Sequence, residues 1–210
     1  MKMKIFLFLI AVLLIPVGTT AQIVNGYGIK LGAARATQSW TYTSFSDPDL
    51  ESRTGLDMAA FIELFDLKLA NVLIEAHYIQ KGFKERFPVT TPGDPAGTGE
   101  FLTFKPRVDY LSFPVLAKIN LPMTFSPYII AGPRFEIRVG EKPQAYEAVL
   151  GNLRRTEVGA TIGFGFQPLM LSPVTLLAEV RYSPNFSKAF ENSALNVKNK
   201  SFEFLAGIKF

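Results

Sequence analysis

The chain has 210 residues, 22 Lys and Arg against 18 Asp and Glu for a net charge of +4, and no cysteine. Without cysteine there can be no disulfide staple, thiolate metal site, cysteine nucleophile or lipid-modified N-terminal Cys. The slight positive excess shows no basic cluster in the sequence, which argues against a nucleic-acid surface.

The opening stretch, "MKMKIFLFLIAVLLIPVGTTAQ", places Lys2 and Lys4 ahead of an apolar run from Ile5 to Val17, followed by the small residues Thr19, Thr20 and Ala21. This is the charged, apolar and cleavable order of a secretory signal. The run is shorter than the ~20 residues a spanning helix needs. Residues 1–21 are expected to be removed, leaving 22–210 as one domain with a net charge of +2 once Lys2 and Lys4 are gone. Beyond the signal no apolar run is long enough for a spanning helix, so a membrane could be crossed only by strands.

Period-2 alternation of apolar and polar residues then recurs in eight segments: 26–42, 54–64, 67–81, 104–119, 125–139, 156–168, 172–184 and 200–210. Their connections alternate in length. Phe65-Asp66, "NLPMTFS" (120–126) and "PLMLSP" (168–173) are tight, whereas 43–53, 82–103, 140–155 and 185–199 are long and polar. Threading the strands up and down gathers every tight turn at one end and every long loop at the other. The predicted fold class is all-β, an eight-stranded antiparallel up-and-down transmembrane β-barrel with short periplasmic turns and longer extracellular loops. "KPQAYEAVLGNLRR" (142–155) reads as loop, with a short helical turn as the alternative, and "GFGF" (163–166) as strand.

One face of the strands carries Lys30, Asp57, Glu63, Glu75, His77, Lys118, Arg134, Glu136, Arg138, Glu157, Glu179, Arg181, Glu203 and Lys209. Six cations, seven carboxylates and one histidine nearly cancel, and glycines such as Gly28, Gly32, Gly163, Gly165 and Gly207 share that face. An eight-stranded barrel is just wide enough inside for side chains, so small residues opposite long charged ones suit an inward, crowded lumen. The other face is aliphatic at mid-strand. Trp40, Tyr42, Tyr78, Phe104, Tyr182 and Phe202 are expected to form its outer aromatic girdle, and Tyr27, Phe65, Phe125, Phe166 and Phe210 the periplasmic one. The last segment, "SFEFLAGIKF", is expected to pair with the first, so that no sheet edge is left open. Pro106, Pro114 and Pro133 fall within predicted strands and each removes a ladder donor, which predicts β-bulges.

A signal ending in Ala-Gln, the strand "YGIKLGAA", the motif "YLSFPVLAKI" (110–119) and a closing strand that ends in Phe together resemble the PorT-like outer-membrane β-barrel proteins of Bacteroidetes-type bacteria. The resemblance covers residues 22–210 as a pattern of strands and ends. It implies an outer-membrane location, contact with outer-membrane lipids, no established enzymatic activity and, for some members, service to secretion or gliding motility. It also implies that Phe210 acts as the signal for the outer-membrane assembly machinery, and it carries a proline at the place of Pro114.

His77 is the one histidine, two residues from Glu75 on the same face. A lipid-modifying barrel enzyme would set it beside a serine and a carboxylate, but no serine is assigned to a neighbouring strand, and a structural His is the favoured reading. Opposite charges in a narrow bore favour a plug over a conducting pore. No metal motif, phosphate loop or nucleotide fingerprint occurs, so no catalytic residue, metal or cofactor is predicted. Function is expected in the long loops, through an extracellular or secretion-complex protein partner. The alternatives are a lipid-modifying enzyme centred on His77 and a soluble lipocalin-like periplasmic carrier.

Overall fold

The structure, a computed structural model, describes residues 23–42, 50–65, 67, 69–90, 93, 99–123, 125–144, 154–171, 173–189 and 195–210. Among them run nine strands: β1 (Val24–Tyr42), β2 (Glu51–Leu64), β3 (Ala70–Pro88), β4 (Phe101–Phe104), β5 (Arg107–Asn120), β6 (Pro127–Lys142), β7 (Thr156–Leu171), β8 (Val174–Pro184) and β9 (Leu195–Lys209). The sheet order is β2-β1-β9-β8-β7-β6-β5-β3-β4, and a further β2–β3 pairing closes eight of these into an antiparallel ring. β4 lies off the ring, paired with Glu85–Pro88 beyond the ring's rim.

The register explains the closure. β1 pairs with β9 from Gly28↔Lys209 to Tyr42↔Leu195, and Phe210 adds two backbone bonds to Tyr27, its N donating to Tyr27 O at 2.8 Å and its O accepting from Tyr27 N at 3.1 Å. Phe65 N donates to Ile23 O at 2.7 Å, so both described chain ends sit at the rim that carries the short turns. Every ring strand has two neighbours, and no open edge remains.

Orientation follows from burial. On the outer wall Leu31, Ile162 and Phe204 are 58, 55 and 51% exposed, whereas Glu75, Glu136 and Glu203 on the inner face are at 2, 0 and 1%. A soluble carrier barrel puts its apolar face inward, and this one does the reverse.

The departures from the sequence reading have local causes. Residues 82–88 and 101–104, read as loop and strand start, form an outward hairpin of β3 with β4, extended by Val89 N donating to Glu100 O at 2.9 Å. Lys105 and Pro106 interrupt what alternation makes one strand, because Pro106 has no N–H for the ladder. Pro114 and Pro133 raise no bulge. Ile74↔Val115 and His77↔Ser112 keep one register around Pro114, and Pro114↔Arg134 and Ala117↔Ala131 keep one around Pro133. A lost bond is a local cost, whereas an inserted residue would turn the following side chains to the wrong face. Register shifts occur instead nearer the strand ends, at Val24/Gly26, Ser52/Asp57, Asp109/Tyr110 and Phe166/Leu169.

Trp40 is not in the outer girdle. It shares the inward parity of Lys30 and Ala34, is buried, and meets Phe83 edge-on at 5.3 Å in an apolar cluster with Ile79, Val108, Tyr110, Ala189 and Val197. Tyr182 and Phe202 do pair on the outer wall, at 4.9 Å between ring centroids, while the Tyr42 side chain lies outside the described residues. At the short-turn rim Tyr27, Phe65, Phe125, Phe166 and Phe210 are all exposed. Most of the 142–155 segment also falls outside the described residues.

Candidate functional site

The lumen is layered along its axis. At the short-turn mouth Lys118 Nζ lies 3.0 Å and Lys209 Nζ 3.1 Å from Glu63 Oε2, and Asn25 donates to Glu63 Oε1 at 3.1 Å. Next comes an apolar layer of Phe61, Leu73, Leu116, Tyr128, Ile130 and Leu177.

The first charged layer lies above it. Lys30 Nζ donates to Glu75 Oε1 at 2.6 Å and to Glu179 Oε1 at 2.7 Å. Arg181 bridges the same two carboxylates, with Nη1 donating to Glu75 Oε2 at 2.5 Å, Nε to Glu179 Oε2 at 2.8 Å, and Nη2 to both. His77 stands between Asp57, 2.8 Å from Nδ1, and Glu75, 2.8 Å from Nε2. A ring flanked by two carboxylates satisfies both only when each nitrogen carries a proton. Alternate residues of each strand point inward and the ring brings β1, β2, β3 and β8 around one bore, so groups up to 149 positions apart meet here.

A second charged layer follows. Arg134 Nη1 donates to Glu203 Oε1 at 2.7 Å, and its Nε lies 3.3 Å from Glu136 Oε1. Lys81 Nζ donates to both Glu136 oxygens at 2.6 and 2.8 Å. Glu157 accepts from Tyr110 Oη at 2.7 Å, Asn185 Nδ2 at 2.5 Å and Asn199 Nδ2 at 2.8 Å. Beyond it the cluster around Trp40 and Phe83 fills the bore near the other mouth.

Of the fourteen residues read from the sequence, ten thus lie in the two charged layers, and Glu63, Lys118 and Lys209 at the short-turn mouth. Arg138 stands apart. It shares the face of Tyr110 but sits near the long-loop mouth, where its Nη1 donates to Glu141 Oε2 at 2.7 Å. Alternation did not bring out Lys81, Tyr110, Tyr128, Asn185, Asn199 and the two apolar layers. Parity with Ser112, Arg134 and Ser201 on their own strands would have placed Tyr110, Tyr128 and Asn199 inside.

Gly165 shows why small residues share this face. A Cβ there would lie 2.4–2.6 Å from the Tyr128 ring and hydroxyl, and that hydroxyl donates to Glu179 Oε1 at 2.6 Å. Gly165→Val is expected to displace the ring and cost about 1–3 kcal/mol, read as a lower urea midpoint for the folded barrel in detergent.

Ser112 is the serine the sequence reading did not find. It lies directly across the ladder from His77, buried, and its Oγ has no hydrogen-bond partner among the described residues. A catalytic dyad would need His77 Nε2 to face that hydroxyl, but Nε2 faces Glu75. The space bounded by His77, Ser112, Arg134, Arg181 and Glu203 has a cavity volume of about 0 Å³ for water-sized occupants.

An antiparallel ring with an apolar wall, a charged interior, short turns at one rim and long connections at the other defines a small transmembrane barrel of the outer-membrane type. The chain belongs to the family of the outer membrane protein beta-barrel domain, whose model matches residues 21–191. It is similar to the crystal structure of the outer membrane protein OprG from Pseudomonas aeruginosa, with 14% identity, coverage of 88% of this chain and 95% of that one, and a TM-score of 0.51. Neisserial surface protein A gives 11% identity, 89% and 99% coverage and a TM-score of 0.47. The outer membrane protein AlkL gives 10% identity, 93% and 94% coverage and 0.48. At this identity the likeness to OprG speaks for the fold alone. No curated protein matches the chain. The protein is a small outer-membrane β-barrel, with its short turns periplasmic and its long connections outside.

Proposed function

We propose that this barrel is a plugged, non-catalytic scaffold of the PorT-like group, whose outer connections (43–53, 82–103, 140–155 and 185–199) engage an extracellular or secretion-complex protein partner. Residues 1–21 act as its cleaved export signal. The observation that carries the reading is the filled bore: two charged layers between two apolar ones, with no water-sized space around His77. A filled cylinder of this kind offers its outer connections as the surface for recognition. The β3–β4 hairpin projects beyond the ring, and Phe87, Phe101 and Leu102 on it are exposed.

The enzyme alternative is not favoured, because His77 gives both ring nitrogens to carboxylates rather than to Ser112. His77→Asn is expected to leave the cell's lipid A and phospholipid profiles unchanged while lowering barrel stability by about 1–3 kcal/mol, since Asp57 and Glu75 lose a donor each. An altered lipid profile would favour the enzyme. Photo-crosslinking from Phe87 or Phe101 in intact cells is expected to trap one discrete protein partner. Failure to trap any protein from these positions would count against the scaffold reading.

A further inference from the structure

The outer rim holds a basic pocket that the lumen does not use. Arg53, Thr54, Lys84, Lys105, Arg107, Lys142 and Gln144 line a cavity of about 450 Å³, so five cations and no carboxylate border it among the described residues. The register places Lys84, Arg107 and Lys142 on the barrel wall, while Arg53, opposite the inward Ala36 on β1, sits at the register shift between β2 and β3 and reaches across Gly82 toward them. Lys81, Phe83, Val108 and Tyr110 point inward, so Lys84, Arg107 and Lys142, which alternate with or pair to them, point outward.

Two observations separate this cluster from an ordinary solvated face. Arg53 Nη1 is buried with no hydrogen-bond partner among the described residues. Its side chain crosses Gly82, whose φ of 144° is strained for other residues, and a Cβ there would lie 2.2 Å from Pro106 O and 3.2 Å from Arg53 Cδ. The glycine therefore makes room first for the Pro106 carbonyl, and the Arg53 methylene chain passes beside it. A buried guanidinium nitrogen without an acceptor costs about 1–3 kcal/mol, which an anionic oxygen would offset. Carboxylates nearby are few: Asp109 holds Arg107, with 2.9 Å from Oδ1 to Nε, and Glu51 stands opposite Lys84 in the ladder. The frame is fixed by Lys105 N donating to Gln144 Oε1 at 2.8 Å.

Height on the wall indicates the ligand. Leu111 ends the apolar belt on β5, and Arg107 lies four residues beyond it. That is roughly 13 Å along a strand tilted ~40°, hence about 10 Å along the membrane normal. Headgroups occupy about 5–8 Å outside each side of the hydrocarbon, so the cations stand just above that layer and their long side chains can reach back into it. We propose that this pocket binds a phosphate of an outer-leaflet glycolipid, with Arg53, Lys84 and Lys142 contacting its oxygens and the adjoining wall around Leu111 meeting its acyl chains. The assignment rests on the orientation of the barrel and is independent of any protein partner.

The test is native mass spectrometry of the full chain in detergent with bis-phosphorylated lipid A and with its dephosphorylated form. Heat-dependent gel mobility reports folding. The unaltered protein should retain the phosphorylated form about tenfold better, the size of one charge-assisted contact. R53Q/K84Q/K142Q should abolish the preference, with R53Q alone as the substitute if the triple variant does not fold. K198Q/K200Q, which removes two exposed lysines of β9 outside the pocket, should keep it. Equal retention of both lipids, persistence of the preference in the pocket variant, or its loss in K198Q/K200Q would each overturn the site. Displacement of lipid A by an equal concentration of inorganic pyrophosphate would overturn the lipid source in favour of a soluble anion.

Discussion

Arg181→Ala is expected to destabilise the barrel by about 3–5 kcal/mol, the loss that follows when one partner of a buried ion pair is removed. Arg181 is fully buried and bridges Glu75 and Glu179, while Lys30 holds the same two carboxylates from the other side. Truncation leaves two buried carboxylates with one ammonium and His77 and removes the guanidinium that donates to both. Urea unfolding in lipid vesicles, followed by tryptophan emission and gel mobility, measures the loss, and Trp40 is the single reporter. Arg181→Met combined with Glu75→Gln removes one charge of each sign and should recover more than half of it. If Arg181→Ala falls within about 1 kcal/mol of the unaltered protein, water must already solvate these carboxylates and the lumen is not a plug.

How much of this was legible in the sequence depends on which side of the wall a residue meets. Lipid and lumen impose opposite requirements on successive residues, so Leu31 beside Lys30 and Phe204 beside Glu203 announce both strand and orientation. The same signal says where a residue points but not what fills the bore at that height. Phe61, Leu73, Leu116 and Leu177 obey the parity of Glu63, Glu75, Lys118 and Glu179, yet apolar residues at inward positions read as noise in an alternating pattern. Trp40 was assigned to the girdle on residue type, although its parity with Lys30 already placed it inside. Arg138 shows the limit of parity, because a long side chain near a mouth can reach Glu141 instead of the buried layer. The basic pocket left no trace as a cluster: its cations are distributed over β2, β3, β5, β6 and the β4–β5 connection, and only ring closure brings them together. His77 and Ser112 likewise become neighbours through pairing of β3 with β5.

The layering carries a second large prediction, on conductance. Unaltered protein in planar bilayers is expected to give no reproducible ion-selective current, and removing one ion pair from a charged layer should not change that. Arg134→Ser with Glu203→Ser deletes a 2.7 Å ion pair together and so leaves neither charge stranded. The polar space so created is large enough for water, but Phe61, Leu73, Leu116, Tyr128, Ile130 and Leu177 still close the periplasmic side. An ion crossing that layer would lose its hydration without a compensating group, a penalty of several kcal/mol in a bore this narrow. Adding Phe61→Ser takes away the ring that lies 4.6 Å from Lys30 Nζ and adjoins Gly28, where a Cβ would come within 2.8 Å of the ring. Its removal joins the periplasmic mouth, with its cavity of about 310 Å³ beside Glu63 and Lys118, to the charged layers. The triple variant should nevertheless stay as silent as Phe61→Ser alone, since Lys30, Arg181 and their carboxylates still fill the bore and the cluster around Trp40 and Phe83 closes the other mouth. Conduction through Arg134→Ser/Glu203→Ser alone would show that the apolar layer opens without mutation and is a gate rather than a floor.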